Sequence, residues 1–440
     1  MALKFLICLL AFAVMHVAPV VSGQQLKAAN TTAAGESAKQ APLSEADRAR
    51  FDDLRKRGFE ALYNLDYEEA RRNFKELAQL FPDHPAGPQF LAASLWAQTL
   101  NESRRLQSGL YNSDSFYAKT EDKVDPRTIA QFRDWTRAAR QLAEARLKRD
   151  PKDAEALYFL GATEGLKAAF ATAVQRSFFG ALRDGSNSVD HHRDVLKLDP
   201  NFHDAELTIG LYDYVIGSLP LPVKLVMNVA GARGSKKRGL QTLERVTREG
   251  RFAQDDARAL LILLYKREGR FNDALAVSRE LGQKYPRSYL FKLEAADALM
   301  SQAAVEQKAN RPTEAESARR EALAIFNDLL RSNTTRDTAS RALDLIHFRY
   351  AEALLVNGQK EQATKEFLAA ANLQGAEQGL ATMAHLRAAQ SLDLAGKRNE
   401  AITQYRVVLA RPNVYDSQDE ARQGLREPYE IKDQEKSIKE

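Results

Sequence analysis

From Leu54 to Pro82 the sequence sets Leu54, Gly58, Ala61, Tyr67, Ala70, Phe74, Leu77 and Pro82 at the offsets of a two-helix repeat of about 34 residues. Small residues at 58 and 70 let two antiparallel helices approach closely. Phe74 and Leu77 fill the groove between them, and Pro82 stops the second helix. Such a pair cannot bury its apolar stripe alone, so it must stack on further copies of itself. This requirement excludes most other architectures for the chain.

The copies recur to its end. A second unit starts near Pro85 with Leu91, Ala92 and Leu95, and its second helix is expected over 127–149, after an insertion at 101–126. Leu157, Leu160 and Gly161 open the next, with an insertion around 178–188 before a return helix that ends at Pro200. Gly161 stands ten residues after Pro151 and Gly210 ten residues after Pro200, so Gly210 is the crossing residue of a further helix. The segment 255–288 is the most regular unit, with Tyr265, Gly269, Phe271, Ala274, Leu281 and Pro286 in register. The next runs longer, to about Asn333, which predicts two lengthened helices with their tip near Asn310, Arg311 and Pro312. Two more units, marked by Gly358, Ala363, Phe367 and by Gly396, Ala401, Tyr405, precede a capping helix over Ser417–Arg426. The pattern resembles the tetratricopeptide repeat (TPR). It predicts an all-α fold, an α-solenoid of about eight TPR-like helix pairs with helical insertions, whose concave face suits a peptide or protein.

The first residues have the layout of a secretory signal peptide over 1–23: Lys4, an apolar core from Phe5 to Met15, and small residues at 21–23. The one cysteine, Cys8, would leave with it, so no disulfide, thiolate nucleophile or cysteine metal site is expected. Residues 24–43 are small and polar and read as a flexible tether. The expected organisation then continues with TPR-like units and insertions over 44–200, a unit with an apolar and basic insert over 201–254, C-terminal units with a capping helix over 255–428, and a charged tail over 429–440. The expected location is exported, periplasmic or extracellular.

One stretch departs from the repeat. Residues 210–240 carry Pro220 and Pro222, then a near-continuous apolar run, then Gly231. Between Arg233 and Arg251 seven Lys or Arg stand against Glu244 and Glu249, an excess as large as the net +5 of the whole chain. The basicity is therefore local. The block of Gly210, Gly217-Ser218-Leu219-Pro220, Gly231-Ala232-Arg233-Gly234-Ser235, Gly239-Leu240 and Leu243 resembles one found in the eukaryotic TPR-domain-39 and inclusion-body-clearance proteins. Here Pro follows Ser-Leu directly, Ala232 replaces a Phe and Ser235 an Asp. The resemblance implies a helical TPR fold with no catalytic residues to carry over.

For the run 219–230, the expectation is a helix that fills the superhelical groove; the alternatives are contact with a membrane surface and an exposed partner site. The glycine-rich loop at 231–235 lacks nucleotide-binding spacing and a preceding strand, and Ser235 reads as a helix N-cap. His191 and His192 point about 100° apart on a helix and read as solvated residues rather than metal ligands. Zinc-protease, nucleophile-elbow and dinucleotide motifs are missing from the sequence, so no catalytic, cofactor-binding or metal residues are assigned and an enzyme is a remote alternative. The inserts after Leu100, Val174 and Tyr214, with aromatics at Tyr111, Phe116, Tyr117, Phe178 and Phe179, are expected to fold together over one end of the concave face. Arg233, Lys236, Lys237 and Arg238 form a predicted basic rim, with Tyr212 and Tyr214 beside them as partner-binding residues. The function expected is a non-enzymatic scaffold for protein–protein interaction, with a membrane-surface adaptor using 214–251 as the alternative. The partner is a protein or peptide, an anionic membrane surface in the alternative, and not a nucleic acid.

Overall fold

The computed structural model describes residues 44–106, 124–175, 178–221, 224–225, 233–331, 341–414 and 416–430. The signal-peptide and tether expectations, most of the 101–126 insertion with Tyr111, Phe116 and Tyr117, most of the 219–230 run and the end of the charged tail lie outside them.

Among the described residues there are seventeen α-helices and no strand. They form eight consecutive pairs and a cap: α1 (Glu45–Tyr63) with α2 (Tyr67–Leu80), α3 (Ala86–Glu102) with α4 (Pro126–Arg149), α5 (Ala154–Ala173) with α6 (Phe178–Leu198), and α7 (Glu206–Gly217) with α8 (Lys236–Glu249). Then follow α9 (Gln254–Arg267) with α10 (Phe271–Lys284), α11 (Tyr289–Lys308) with α12 (Pro312–Arg331), α13 (Leu343–Val356) with α14 (Lys360–Asn372), α15 (Gln378–Leu394) with α16 (Arg398–Leu409), and the cap α17 (Ser417–Arg426). This is the α-solenoid of TPR-like pairs that the spacing predicts. One boundary differs. The return helix α6 already begins at Phe178, so the expected insertion at 178–188 is the first half of that helix.

Local chemistry sets the helix ends. The carboxylates of Asp66, Asp125 and Asp153 accept the first free N–H groups of α2, α4 and α5, and Pro126 opens α4 where its missing N–H costs nothing. At the other end of α4, Arg146, Lys148 and Arg149 face the negative end of the helix dipole. Gly269, Gly358 and Gly396 close the turns within three of the pairs with φ of 71°, 77° and 76°, a conformation that suits glycine.

The chain divides into two compact units. The first holds α1 to α8, apart from the last residue of α1 and the last turn of α3, and the start of α9. Its core carries a spine of rings, Phe59 against Phe74 at 5.2 Å, Phe59 against Phe90 at 4.8 Å and Phe90 against Phe159 at 5.8 Å, each edge-on. A Cβ on Gly58 would lie 2.2 Å from Cε1 of Phe74, which shows why the crossing residue is glycine. Distant parts of the chain also meet in this unit: Arg251 Nη2 donates to both carboxylate oxygens of Asp52 at 3.0 Å, and the Arg55 guanidinium lies over the Phe252 ring.

The second unit holds residues 63–65, 99–106 and the chain from the second turn of α9 onward. Ile262, Leu281, Tyr285 and Phe291 form one core cluster, on which Tyr63 packs. Arg104 Nε donates to both oxygens of the buried Asp344, at 2.9 and 3.1 Å, and the Arg287 N–H donates to Asn64 Oδ1 at 3.0 Å. At the C-terminus the Asp393 carboxylate, fully buried, takes Arg398, the Tyr405 hydroxyl and the Tyr429 N–H, tying the end of the chain to α15.

Candidate functional site

The α7–α8 pair is built differently from its neighbours, because glycines lie on both sides of its crossing. A Cβ on Gly210 would meet Leu243 Cγ at 3.0 Å, and one on Gly239 would meet the Gly210 carbonyl oxygen at 2.6 Å. A Cβ on Gly217 would lie 2.3 Å from the Lys236 nitrogen, and one on Gly234 would lie 2.5 Å from Ile216 Cβ and 2.7 Å from the Asp213 carbonyl oxygen. The two helices therefore run close together from Gly210 to Gly217 of α7. Ser235 caps α8 by accepting the Arg238 N–H at 3.4 Å, as its position in the sequence predicts.

This packing fixes where the predicted basic rim lies. Arg233 and Lys237 are exposed, and Lys236 is half-buried with its ammonium 6.0 Å from the Tyr214 ring centre. Arg238 reaches back to α7 and holds Asp213 with two charge-assisted bonds, from Nη2 at 2.7 Å and from Nε. That pairing raises the Arg238 pKa above its ordinary value and uses the side chain for folding as well as for surface charge. Tyr212 and Tyr214 have another place than the one expected: they are 5% and 1% exposed and belong to the packed interior of the pair. Burial raises the Tyr212 pKa, and the Arg193 guanidinium covers its ring at 5.3 Å. Tyr214 lies at the crossing, where Gly239 faces its backbone nitrogen and Cβ, and Tyr212 lies against Arg193 of α6, so neither ring faces outward.

The run after α7 also departs from the groove-filling expectation in its described part. Leu219 is buried, but Leu221 is 76% and Leu225 63% exposed. The Lys224 N–H donates to the Pro220 carbonyl at 2.8 Å.

The histidine pair is corrected as well. His192 is buried: its Nε2 lies 3.1 Å from the Tyr158 carbonyl oxygen and its Nδ1 next to the Thr208 hydroxyl. A carbonyl only accepts, so Nε2 carries the proton and Nδ1 accepts from Thr208. The ring packs where Gly161 leaves room, 2.7 Å from the position a Cβ would take, and the gap is the signal in the sequence for a large partner there. Burial depresses the His192 pKa to about 4 and also lowers that of His191. Among the described residues no group of three His, Cys, Asp or Glu is placed to hold a metal ion.

A second polar arrangement, which the sequence reading missed, runs along first helices of the second unit. Lys266 Nζ on α9 lies 2.9 Å from Glu294 Oε2 and 3.5 Å from Asp297 Oδ2 on α11. Arg349 Nη2 on α13 donates to Asp297 at 2.7 Å and the same guanidinium holds Glu352, which faces Arg387 on α15 at 3.9 Å. Arg387 Nη1 then donates to Gln390 and Gln390 to Glu420 on α17, at 2.8 and 3.0 Å. Lys266, Glu294 and Asp297 are buried, while Glu352 and Arg387 keep about a quarter of their side-chain surface, 27% and 26%. The acidic partners raise the pKa of Lys266 and Arg349 against the opposing effect of burial.

A scan of protein-family models gives no match to the sequence, and a search of curated proteins gives none. Among solved structures the chain is similar to the human IFIT1 dimer with m7Gppp-AAAA, at 14% identity and a TM-score of 0.44 over 86% of this chain and 85% of that one. It is also similar to yeast Tom70, at 13% identity and a TM-score of 0.35 over 87% and 96%.

Proposed function

We propose that this chain is a non-enzymatic TPR-type scaffold of the cell envelope or the outside of the cell, which holds a protein or peptide on its helix pairs and docks on a negatively charged surface through α7–α8. The observation that carries it is the rim of α8. Arg233 and Lys237 are exposed on a pair whose backbone is pinned by four glycines, so they add charge without adding to the packing. Arg349, Glu352 and Arg387, mostly buried but each with a part of its side chain at the surface, offer polar groups of both signs on first helices of the second unit, where a peptide could exchange hydrogen bonds. The likeness of the 210–243 block to TPR-domain-39 proteins supports a binding role without chemistry, and the layout of residues 1–23 supports export.

A photo-crosslinking amino acid at position 237 of the full chain, in cells, tests the docking face. A crosslinked product that disappears in the Arg233→Glu/Lys237→Glu chain is expected. Absence of any product, or a product indifferent to charge reversal, would overturn the assignment. Mass spectrometry of the secreted or periplasmic chain, starting after residue 23, checks the export.

A further inference from the structure

We infer that the outer face of α4 is a second binding surface, separate from the α7–α8 rim, and that its partner is an acidic peptide segment in extended form; this rests on the scaffold reading above but not on the docking face. Within Pro126–Arg149 seven Lys or Arg stand against Asp134 and Glu144, an excess as large as the net +5 of the whole chain. The second helices of the preceding and following pairs, α2 and α6, each carry three Lys or Arg against three Asp or Glu. The outer side of a repeat therefore does not require this charge, and the packing of α4 does not use most of it. Phe132, Thr136, Ala139 and Ala143 form its buried stripe. Of the seven basic residues only Arg146 is not exposed, and it holds Asp153 at 2.8 and 3.1 Å. Arg133, Arg137 and Gln141 follow at steps of four, and Lys148 stands two turns further, so these four share one exposed side of the helix.

The chemistry of this face selects the partner. Steps of four on a helix advance about 6 Å, close to the roughly 6.6 Å between alternate side chains of an extended chain. Gln141 offers an amide donor and acceptor, which match a peptide backbone, whereas phosphate and sulfate offer acceptors alone. Of the two aromatic residues of α4, Phe132 stacks on Phe170 of α5 at 3.8 Å and Trp135 is half-buried, so the face gives no platform for nucleic-acid bases. None of the exposed large hydrophobic side chains among the described residues lies on α4, so it has nothing to sink into a bilayer. Asp134 and Glu144 hold Arg137 and Arg140 at 3.2 and 2.8 Å in pairs open to solvent on both sides. These carboxylates oppose a uniform sheet of anionic headgroups, but can yield an arginine to a single incoming carboxylate.

Fluorescence anisotropy of the full chain with a labelled peptide of about twelve residues, glutamate at every second position, tests this. Binding is expected at low salt and should be lost at high salt, and the same peptide with glutamine for glutamate should not bind. Each exposed charge removed should weaken binding about threefold, so Arg133→Gln/Arg137→Gln/Lys148→Gln should lose more than about tenfold with an unchanged melting temperature. Arg233→Glu/Lys237→Glu should bind the peptide as the natural chain does. Absence of binding at low salt, undiminished binding by the triple variant, or a loss confined to the α8 variant overturns the assignment to α4. A uridine oligonucleotide of equal charge, or phosphatidylglycerol vesicles, held more tightly than the peptide and released by the same triple substitution would give the face to a phosphate partner and overturn it too. If the peptide fails while the crosslink at position 237 goes to a protein, the scaffold reading stands without this face; if both fail, both assignments are wrong.

Discussion

A methyl group on Gly239 would sit 2.6 Å from the backbone nitrogen of Tyr214, so α7 and α8 touch backbone to backbone at that point. Neither side can yield by rotating a side chain. Gly239→Ala gains about 1 kcal/mol of intrinsic helix propensity but forces the two backbones apart. The net expected is a loss of about 1–3 kcal/mol, read as a lower urea midpoint. Gly282→Ala is the control, because the nearest atom to a Cβ there is Phe291 Cβ at 3.8 Å in ordinary contact. That variant should gain about 0.5–1 kcal/mol.

Asp204 organises the entry to α9 from a long way back in the sequence. Its Oδ1 accepts the N–H groups of Arg251, Phe252 and Ala253 at 2.8, 2.6 and 2.8 Å, and the residue is 3% exposed. Asp204→Ala leaves three N–H donors without this acceptor and should cost about 2–4 kcal/mol. Asp204→Asn keeps an oxygen in the same place and should cost about 1 kcal/mol. Thermal unfolding of the two variants separates loss of the acceptor from loss of the charge.

His192 makes the fold sensitive to acid. Its pKa is held at about 4 in the folded chain, below the ordinary 6.5, because burial disfavours the imidazolium. The unfolded chain therefore binds a proton at higher pH than the folded one. The stabilisation is complete above about pH 6.5 and is lost progressively as pH falls to about 4, in total about 3 kcal/mol. A second stage follows below the ordinary range of Glu155. Burial pushes that carboxyl up, but His84 and Arg146 outweigh it and hold it at about 2. Unfolding midpoints measured between pH 7 and pH 4 should fall steeply in the natural chain and much less in His192→Gln. A parallel fall in both would assign the acid sensitivity elsewhere.

The crossing residues Gly58, Gly161 and Gly210 were legible in the sequence as small residues at repeating offsets, whereas the groups that fill their places, Phe74, His192 and Leu243, follow at unequal distances and His192 was not legible as one. The cap α17 was legible from amphipathic spacing alone. The fate of single side chains was less so. Tyr212 and Tyr214 look like recognition residues beside a basic cluster, and only the glycine-lined crossing shows that their rings are needed inside. The ladder from Lys266 to Glu420 joins residues 154 positions apart on helices stacked in space, and charges spread evenly along a chain give no sign of such a register.

That ladder has its own test. Lys266 is 6% exposed on its side chain between Glu294 and Asp297. Lys266→Met fits the volume but takes a cation away from two buried carboxylates, and is expected to cost about 3–5 kcal/mol. Lys266→Met combined with Glu294→Gln removes one charge of each sign and should recover part of that loss. Denaturation of the single and double variants gives the coupling directly, and additivity of the two changes would show that the pair does not interact.

The rim of α8 separates residues that serve the surface from those that serve the fold. Arg233 and Lys237 are exposed, so Arg233→Glu/Lys237→Glu should shift the melting temperature by no more than a surface change does, within about 0.5 kcal/mol. Arg238 differs although its own side chain is 58% exposed, because its partner Asp213 is only 7% exposed and loses both charge-assisted bonds when the guanidinium is removed. Arg238→Gln is therefore expected to cost about 1–2 kcal/mol, reduced from a fully buried pair by solvent at the arginine. Equal stability loss in the two variants would mean that Arg233 or Lys237 also holds α8 in place. Their charge reversal could then no longer be taken as a clean probe of docking.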